Sequence, residues 1–521
     1  MRGAVEQGPV NRAEWRWALG WALAVAALTC VPYLYAYFAA PNGLTFGGFL
    51  VNTRDGNSYL AKMREGYEGN WLFRLAFTPE EQRGIFVFTL YLGLGHVARL
   101  VGLPLVLTFH IARAASGVLL LLSVYRLTAE ITPDRAARRW AFAVAAFGSG
   151  LAVVSLLIGR NDAAFVPVDL FVPEAIGFYS TLANPHFPFA FALQIWAILW
   201  TLHPPRANLW TQIAVATAIG LGIVALAPYL TPIVWVAVAA GVAASRPIQR
   251  DAVFRGVAMF GAMGLFLLYA VWAMQADPAV AEWARQNVTP TPPMLDVILG
   301  LGIWLPLAIV GAWRVQRERG WTPTLFSLIT WLLFIAALIY FPYPLQRRFL
   351  GGVYVPLAAL SGVGLAWLLA QLGRARIAAI AGLVVFGFTA NVLVLMALFV
   401  APGQADPAVY LTNDEAAALR WLETQATPND VALADPRLGN FVPGWTGART
   451  VYGHPMETID AQTKLAEVES FYATGVDNGI LDRYRVTYII SGAPPASWPP
   501  IDAFEGWQLV FESGAVRIYG R

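Results

Sequence analysis

The sequence predicts an α-helical polytopic membrane protein with about eleven transmembrane helices, an amphipathic first outer loop and a small C-terminal α/β domain. Hydrophobic residues make up 58% of the 521-residue chain and charged residues only 13%, well below the roughly 25% charge of soluble domains. Residues 1–405 hold 27 Lys and Arg against 17 Asp and Glu, whereas residues 406–521 hold 8 against 15. This shift in charge predicts a basic membrane domain, 1–403, followed by an acidic domain, 404–521.

Apolar runs give the predicted spans, because crossing a ~30 Å hydrocarbon core takes about 20 helical residues. The runs are 17–38, 104–127, 139–158, 187–202, 210–226, 228–244, 256–274, 296–313, 323–341, 349–371 and 377–400. The first run is long enough to be a span rather than a cleaved signal. The run 84–101 is interrupted by Gly93 and Gly95, and we expect it to lie in or re-enter the outer leaflet.

The distribution of arginine predicts the orientation in the plasma membrane. Arg residues concentrate before the first span and in alternate short loops near 135–139, 206, 246–250, 314–319 and 374–376. Such loops are expected on the cytoplasmic side by the positive-inside rule. The N-terminus is then cytoplasmic, whereas the first outer loop, 39–103, the second outer loop, 159–186, and the C-terminal domain are extracytoplasmic.

Composition also argues against several classes of function. Cys30 is the only cysteine, which excludes an intrachain disulfide and a thiolate metal site. The Arg residues are spread over short loops and form no basic patch, so nucleic acid is not an expected partner. Lysine occurs only at Lys62 and Lys464, against 33 Arg, a bias that we interpret as the codon usage of a G+C-rich prokaryote.

The first outer loop carries the most informative stretch of the chain. Asp55 precedes a run in which Tyr59, Met63, Tyr67 and Trp71 are spaced by four, so these side chains share one helical face. Such a helix is expected to lie along the membrane surface with its aromatic side chains toward lipid. Asp55 would then be a general base at the boundary of headgroups and water, or simply the N-cap of the helix.

Three features of the chain together resemble the C-type polytopic glycosyltransferases, which include protein O-mannosyltransferases, aminoarabinose transferases and oligosaccharyltransferase catalytic subunits. Asp55 lies in the first outer loop with Tyr59 one turn later, and the span FHIARAASGVLLLLSVYRL (109–127) contains Arg113. A late outer loop, FPYPLQRRF (341–349), precedes a span that leads toward the C-terminal domain. The segment 453–458, GHPMET, resembles the C-terminal tails of bacterial members.

The resemblance implies inverting transfer of a sugar from a polyprenyl-phosphate donor to an extracytoplasmic glycan, lipid or protein acceptor. Asp55 would be the base, and Arg side chains would hold the lipid phosphate. The family acid often has a second acid beside it, but here Gly56 follows Asp55. A divalent metal ion therefore stays an open question, with Asp55, Asp169 and Glu174 as candidate ligands.

The remaining candidates lie in the outer loops and at span ends, and each has a structural alternative. Arg113 could form a structural salt bridge, Arg347 and Arg348 could extend to lipid headgroups, and loop acids such as Asp162 could be solvated. His454 and Glu457 are expected to close a turn. The candidate substrate-binding residues are Arg54, Tyr59, His110, Arg113, Glu174, Asn184, His186, Arg347 and Arg348.

Two other functions are compatible with the sequence. One is a polytopic transporter or flippase for a lipid-linked or envelope substrate, although no internal repeat or pair of broken helices is evident in the sequence. The other is a non-catalytic membrane assembly protein with the same fold, which the lone Asp55 leaves open.

Overall fold

The computed structural model describes residues 10–158, 167–492 and 506–521, so the predicted loop acid Asp162 lies outside the described residues. The chain divides into two compact units. The first unit comprises Met1–Cys30, Ile111–Leu268 and Val288–Met396, and the second comprises Val31–His110, Tyr269–Asn287 and Ala397–Arg521. The strands of both described sheets lie in the second unit.

Several helices are long and apolar enough to cross a membrane. In the described residues, five qualify singly: Arg12–Phe38, Leu105–Ile131, Leu209–Leu226, Arg250–Ala276 and Gln346–Gln371. Two bent pairs raise the number to seven if each pair is one span: Met294–Leu301 with Trp304–Arg319, and Gly373–Gly387 with Thr389–Gly403. Shorter apolar helices are His186–Leu202, Pro228–Ala244 and Pro323–Leu338. The protein is a multi-pass membrane protein, and the predicted number of eleven spans is not confirmed.

Two of the predicted spans are broken at glycines that pack against each other. The predicted run 139–158 is helical only up to the end of the 13-residue helix Arg135–Phe147 before the chain breaks, and the predicted run 296–313 bends by 65° at 302–303. A Cβ on Gly150 would lie 2.3 Å from the Gly300 carbonyl oxygen, and the Leu151 amide donates to Leu299 O at 2.7 Å. The two breaks therefore support each other, which apolarity alone could not predict.

Short helices of the first unit lie between these spans or form their first turns. They are Ala152–Leu157, Val168–Phe171, Pro173–Ala175, Gly177–Ala183, Pro228–Leu230, Gln346–Leu350 and Gly373–Ala375.

In the second unit, the helix Thr53–Glu68, here called the loop helix, packs against the helix Thr89–Val101. Met63 is fully buried, and Tyr59 stacks on Tyr91 with ring centroids 4.3 Å apart. Protein therefore covers Tyr59 and Met63, and the prediction that they lie on lipid is wrong, whereas Trp71 is 54% exposed. Thr89–Val101 has 13 residues, or about 20 Å at ~1.5 Å per residue, and is too short to cross a ~30 Å core.

The C-terminal part of the second unit contains a five-stranded mixed sheet in the order Arg449–Thr450, Val431–Leu433, Tyr488–Ser491, Val516–Gly520, Gln508–Ser513. The first three strands are parallel, and the last two add antiparallel. Alternate strand residues point to opposite faces: Ala432 and Ile490 pack in a cluster with the helix Asn413–Gln425. Val431 and Ile489 pack in a cluster with the helix Ala461–Thr474.

The second unit also includes a two-stranded antiparallel sheet, Leu44–Phe46 with Tyr410–Thr412. Its further helices are Pro278–Gln286, Leu438–Asn440, Val442–Thr446 and Ile480–Arg483. Because this unit takes in 31–110 and 269–287 as well as the C-terminal segment, the domain boundary near 404 stays a prediction.

Candidate active site

One face of the loop helix contacts the segment 453–458, here called the GHPMET segment. Asp55, Ser58 and Lys62 are spaced by three and four, so they lie on one side of the helix. Asn52 occupies the N-cap position and Asp55 lies in the first turn, so the N-cap alternative for Asp55 is wrong. A carboxylate in the first turn is still favoured by the helix dipole.

His454 holds the Asp55 carboxylate. Its Nε2 lies 3.1 Å from Asp55 Oδ1, and its Nδ1 accepts hydrogen bonds from the amides of Met456 and Glu457 at 3.1 and 3.2 Å. Because Nδ1 accepts two N–H groups, the neutral imidazole carries its proton on Nε2 and donates it to Asp55. His454 is buried, whereas 44% of the Asp55 side chain is exposed, so the carboxylate is oriented and still reachable from solvent.

Lys62 and Glu457 form a buried ion pair beside this contact. Lys62 Nζ lies 2.7 Å from Glu457 Oε1, and only 2% of the lysine side chain is exposed. Ser58 Oγ donates to the same oxygen at 2.6 Å, and the ring of Phe88 lies 4.8 Å from the ammonium. His454 and Glu457 therefore do more than close a turn: they attach the GHPMET segment to the loop helix.

Both lysines of the chain are used in this way. Lys464 is buried and donates to Thr78 Oγ1 at 3.1 Å and to the Glu80 carboxylate. Codon usage would explain why lysine is rare, but it would not explain why the two that remain are both buried and paired. A compact ammonium group with three donors fits such sites, and the planar guanidinium of arginine does not replace it. The rarity of lysine could have indicated that Lys62 and Lys464 have structural roles, and the sequence analysis did not predict them.

The Glu457 carboxylate predicts a dependence of stability on pH. Burial acts to raise the pKa of Glu457, but the Lys62 charge and the hydrogen bonds from Lys62 and Ser58 outweigh it, so the pKa lies below its ordinary value of 4.5. The ionised form then contributes stability that is complete above pH 4.5 and is lost as the pH falls through the lower folded-state pKa. We expect Glu457→Gln to be less stable than wild type at pH 7, with a difference that shrinks below pH 4.5 in denaturation curves. A difference that is constant with pH would contradict this.

In the first unit, Arg347 and Arg348 flank the buried carboxylate of Glu174. Arg347 Nε and Arg348 Nη1 lie 3.5 and 3.6 Å from the same oxygen, Glu174 Oε1. Only 1% of the Glu174 side chain is exposed, against 27% for each arginine. The backbone fixes the first arginine, since the Arg347 amide donates to Thr289 O at 3.0 Å. One buried acid between two partly open guanidinium groups leaves a net positive site.

Arg113 makes hydrogen bonds to backbone oxygens. It is fully buried and donates to the carbonyl oxygens of Thr181 and Thr29 at 2.8 and 3.3 Å. Its donors tie the helix Arg12–Phe38 to the helix Gly177–Ala183, which favours a structural role, and the contact with a donor phosphate stays a prediction.

The other predicted residues divide between the units. In the second unit, Arg54 is exposed next to Asp55, and His110 Nε2 lies 2.9 Å from Gly48 O, with its ring against Tyr33. In the first unit, Asn184 and His186 are buried where the helix Gly177–Ala183 ends and the helix His186–Leu202 begins. These placements assign none of the four a ligand.

The candidate metal ligands do not form a metal site within the described ranges, 10–158, 167–492 and 506–521. No group of three or more His, Cys, Asp or Glu side chains there could hold an ion. Asp169 is fully buried and accepts from the Ala152 amide at 3.4 Å. His454 cannot ligate through Nε2 while that atom donates to Asp55.

Comparison with known proteins gives the fold. No family model and no curated protein matches the chain. Among solved structures, the arabinofuranosyltransferase AftD from Mycobacteria matches with a TM-score of 0.53 at 14% identity, over 97% of this chain and 40% of that one. The archaeal oligosaccharyltransferase AglB from Archaeoglobus fulgidus, in complex with an inhibitory peptide and a dolichol-phosphate, matches with a TM-score of 0.50 at 12% identity, over 92% of this chain and 70% of that one. This chain has the fold of the C-type glycosyltransferases.

The predicted resemblance is thus confirmed at the level of the fold. ArnT from Cupriavidus metallidurans, bound to undecaprenyl phosphate, also matches over 96% of this chain and 98% of its own, at 14% identity. Its TM-score of 0.45 is too low to support the fold. At such low identity the likeness shows the fold, whereas the chemistry depends on the residues of this chain.

Proposed function

We propose that this protein is a membrane glycosyltransferase that moves a sugar from a polyprenyl-phosphate donor to an extracytoplasmic acceptor, with inversion. The observation that carries the proposal is the Asp55 carboxylate, exposed and oriented by the Nε2–H of His454, within a C-type fold. The dolichol-phosphate in the AglB complex supports a lipid phosphate as the leaving group.

The proposed reaction is a single displacement. Asp55 removes the proton from the acceptor hydroxyl as its oxygen attacks the anomeric carbon. The bond between that carbon and the phosphate oxygen breaks, and its electron pair leaves with the polyprenyl phosphate. His454 is a positioning residue: its hydrogen bond to Oδ1 fixes the direction of the carboxylate.

Arg347 and Arg348 are proposed to bind the phosphate of the donor. Charge on the phosphate increases as the sugar leaves, and preorganised cations at the membrane boundary stabilise it more strongly than water would. The guanidinium fork matches phosphate oxygens. Glu174 attracts both side chains by charge at 3.5 and 3.6 Å, without a hydrogen bond to its Oε1. Each arginine side chain is 27% exposed, so a phosphate can reach its guanidinium group.

The phosphate contact predicts a change in donor affinity. We expect Arg347→Met and Arg348→Met each to raise the donor KM by about 10- to 100-fold, because a hydrogen bond to a charged group contributes roughly 1.5–3 kcal/mol. The exposed Arg374 supplies the control, since Arg374→Met should leave the donor KM unchanged. Steady-state kinetics with varied donor concentration measures the KM of each variant. If the donor KM were unchanged in both Arg347→Met and Arg348→Met, these arginines would not bind the donor phosphate.

The proposed function is tested with the purified full-length protein and a panel of polyprenyl-phosphate sugars. We expect release of polyprenyl phosphate from at least one donor, increased by an acceptor. A transporter would instead move a sugar lipid across vesicles without releasing polyprenyl phosphate, and a non-catalytic assembly protein would do neither.

A further inference from the structure

A cleft of about 460 Å³ lies beside the contact between Asp55 and His454 in the second unit. Thr53 and Arg54, which directly precede Asp55, line one part of it, and Gly453 and Pro455, on either side of His454, line another. Its size is within the range of small-molecule sites, roughly 300–1,000 Å³. No step proposed above uses this cleft.

Two polar side chains of the cleft have partners within the protein: Arg437 pairs with Glu415, and Asn440 accepts from Asn57. Three others, Tyr452, Arg54 and Glu469, have no side-chain partner in the described part of the chain. Tyr452 is 7% exposed and lines the cleft, yet its hydroxyl has no hydrogen bond to any described residue. Arg54 and Glu469, both exposed at the cleft, form no ion pair with each other or with another described residue. Tyr452, Arg54 and Glu469 line the same cleft; burial raises the pKa of Tyr452, and the charges of Arg54 and Glu469 act on that pKa in opposite directions.

Tyr452, Arg54 and Glu469 fit a ligand with several hydroxyl groups better than a ligand with one charged group. Arg54 can only donate hydrogen bonds, ionised Glu469 can only accept them, and the phenol of Tyr452 can do both. A sugar hydroxyl also donates and accepts, so neighbouring hydroxyls can use all three. Phe441, Leu465 and the ring of Pro455 add apolar lining for the C–H face of a sugar ring. An anionic ligand would face Glu469 unfavourably, and a cationic ligand would face Arg54.

We propose that this cleft binds the acceptor and that the acceptor is a neutral saccharide, one of whose hydroxyls is presented to Asp55. The assignment of the bound saccharide as an acceptor rests on the proposed function, but the binding of the saccharide needs neither donor nor turnover. It narrows the glycan, lipid and protein acceptors that the resemblance leaves open to one class.

The test uses the full-length protein in nanodiscs on an array that carries neutral oligosaccharides, acidic oligosaccharides and hydroxyl-containing peptides. We expect retention on neutral oligosaccharides and a loss of about tenfold or more in affinity for the variant with both Tyr452→Phe and Glu469→Gln, from the removal of at least two hydrogen bonds. Glu512→Gln, on the strand Gln508–Ser513 away from the cleft lining, is the matched control and should bind like wild type. Melting temperatures check that all variants fold.

The outcomes separate this inference from the proposed function. Retention only on peptides or acidic glycans, retention that the double variant does not weaken, or no retention at all would overturn the saccharide assignment. Release of polyprenyl phosphate could still be observed in each of those cases. Conversely, saccharide binding that depends on Tyr452 and Glu469, together with no release from any donor, would leave the cleft assigned and reject the transferase.

Discussion

Asp55→Asn is expected to lower turnover by ~10²-fold or more, the usual range for removal of a general base. The substitution keeps the size of the side chain and an oxygen that can accept from His454 Nε2, so the fold around the loop helix should persist. Steady-state assays of polyprenyl phosphate release measure the loss, and thermal denaturation should show a melting temperature close to that of wild type.

Asp251 supplies the control for this substitution. It also lies in the first turn of a helix, Arg250–Ala276, so Asp251→Asn removes the same charge from a similar position relative to a helix dipole. We expect this variant to retain wild-type turnover. Retained turnover with a large loss of stability in Asp55→Asn would show that Asp55 supports the helix and is not the base.

Lys62→Met is expected to cost about 3–5 kcal/mol in the free energy of unfolding, because it leaves the buried Glu457 carboxylate without its cation. The aliphatic part of lysine is nearly retained in methionine, so packing against the rings of Phe73 and Phe88 should change little. Denaturation of the detergent-solubilised protein gives the difference from wild type.

The exposed pair Arg485 and Glu81, with side chains 78% and 77% exposed, provides the comparison for Lys62→Met. Arg485→Met should change the unfolding free energy by less than about 1 kcal/mol, as is usual for surface ion pairs. If Lys62→Met cost no more than Arg485→Met, the attachment of the GHPMET segment through this pair would be wrong.

The loop helix shows how far the sequence could go. Spacing by four placed Tyr59 and Met63 on one face, and the structure has them there. The same spacing could not say whether lipid or protein covers that face, since both are apolar environments. Protein covers it because Gly95 lets the backbone come close: a Cβ at this position would lie 1.9 Å from Met63 O.

The candidate site was predictable only in part. Asp55 was identified from its position before an amphipathic run, but its partner His454 lies 399 residues later, and no local pattern joins them. Arg113 stood out because a charge within a span needs a partner, yet the partners turned out to be carbonyl oxygens, which every segment offers. The two lysines were visible in the composition, but only their burial beside Glu457 and Glu80 shows what they do.

The central claim, a single displacement with Asp55 as base, is tested most directly by the anomeric configuration of the product. Nuclear magnetic resonance on the product formed from a donor of known configuration gives the answer in one experiment. We expect the anomeric carbon of the product to have the configuration opposite to that of the donor, and one polyprenyl phosphate to be released for each sugar transferred. Retained configuration would contradict it, because a single in-line displacement inverts the anomeric carbon.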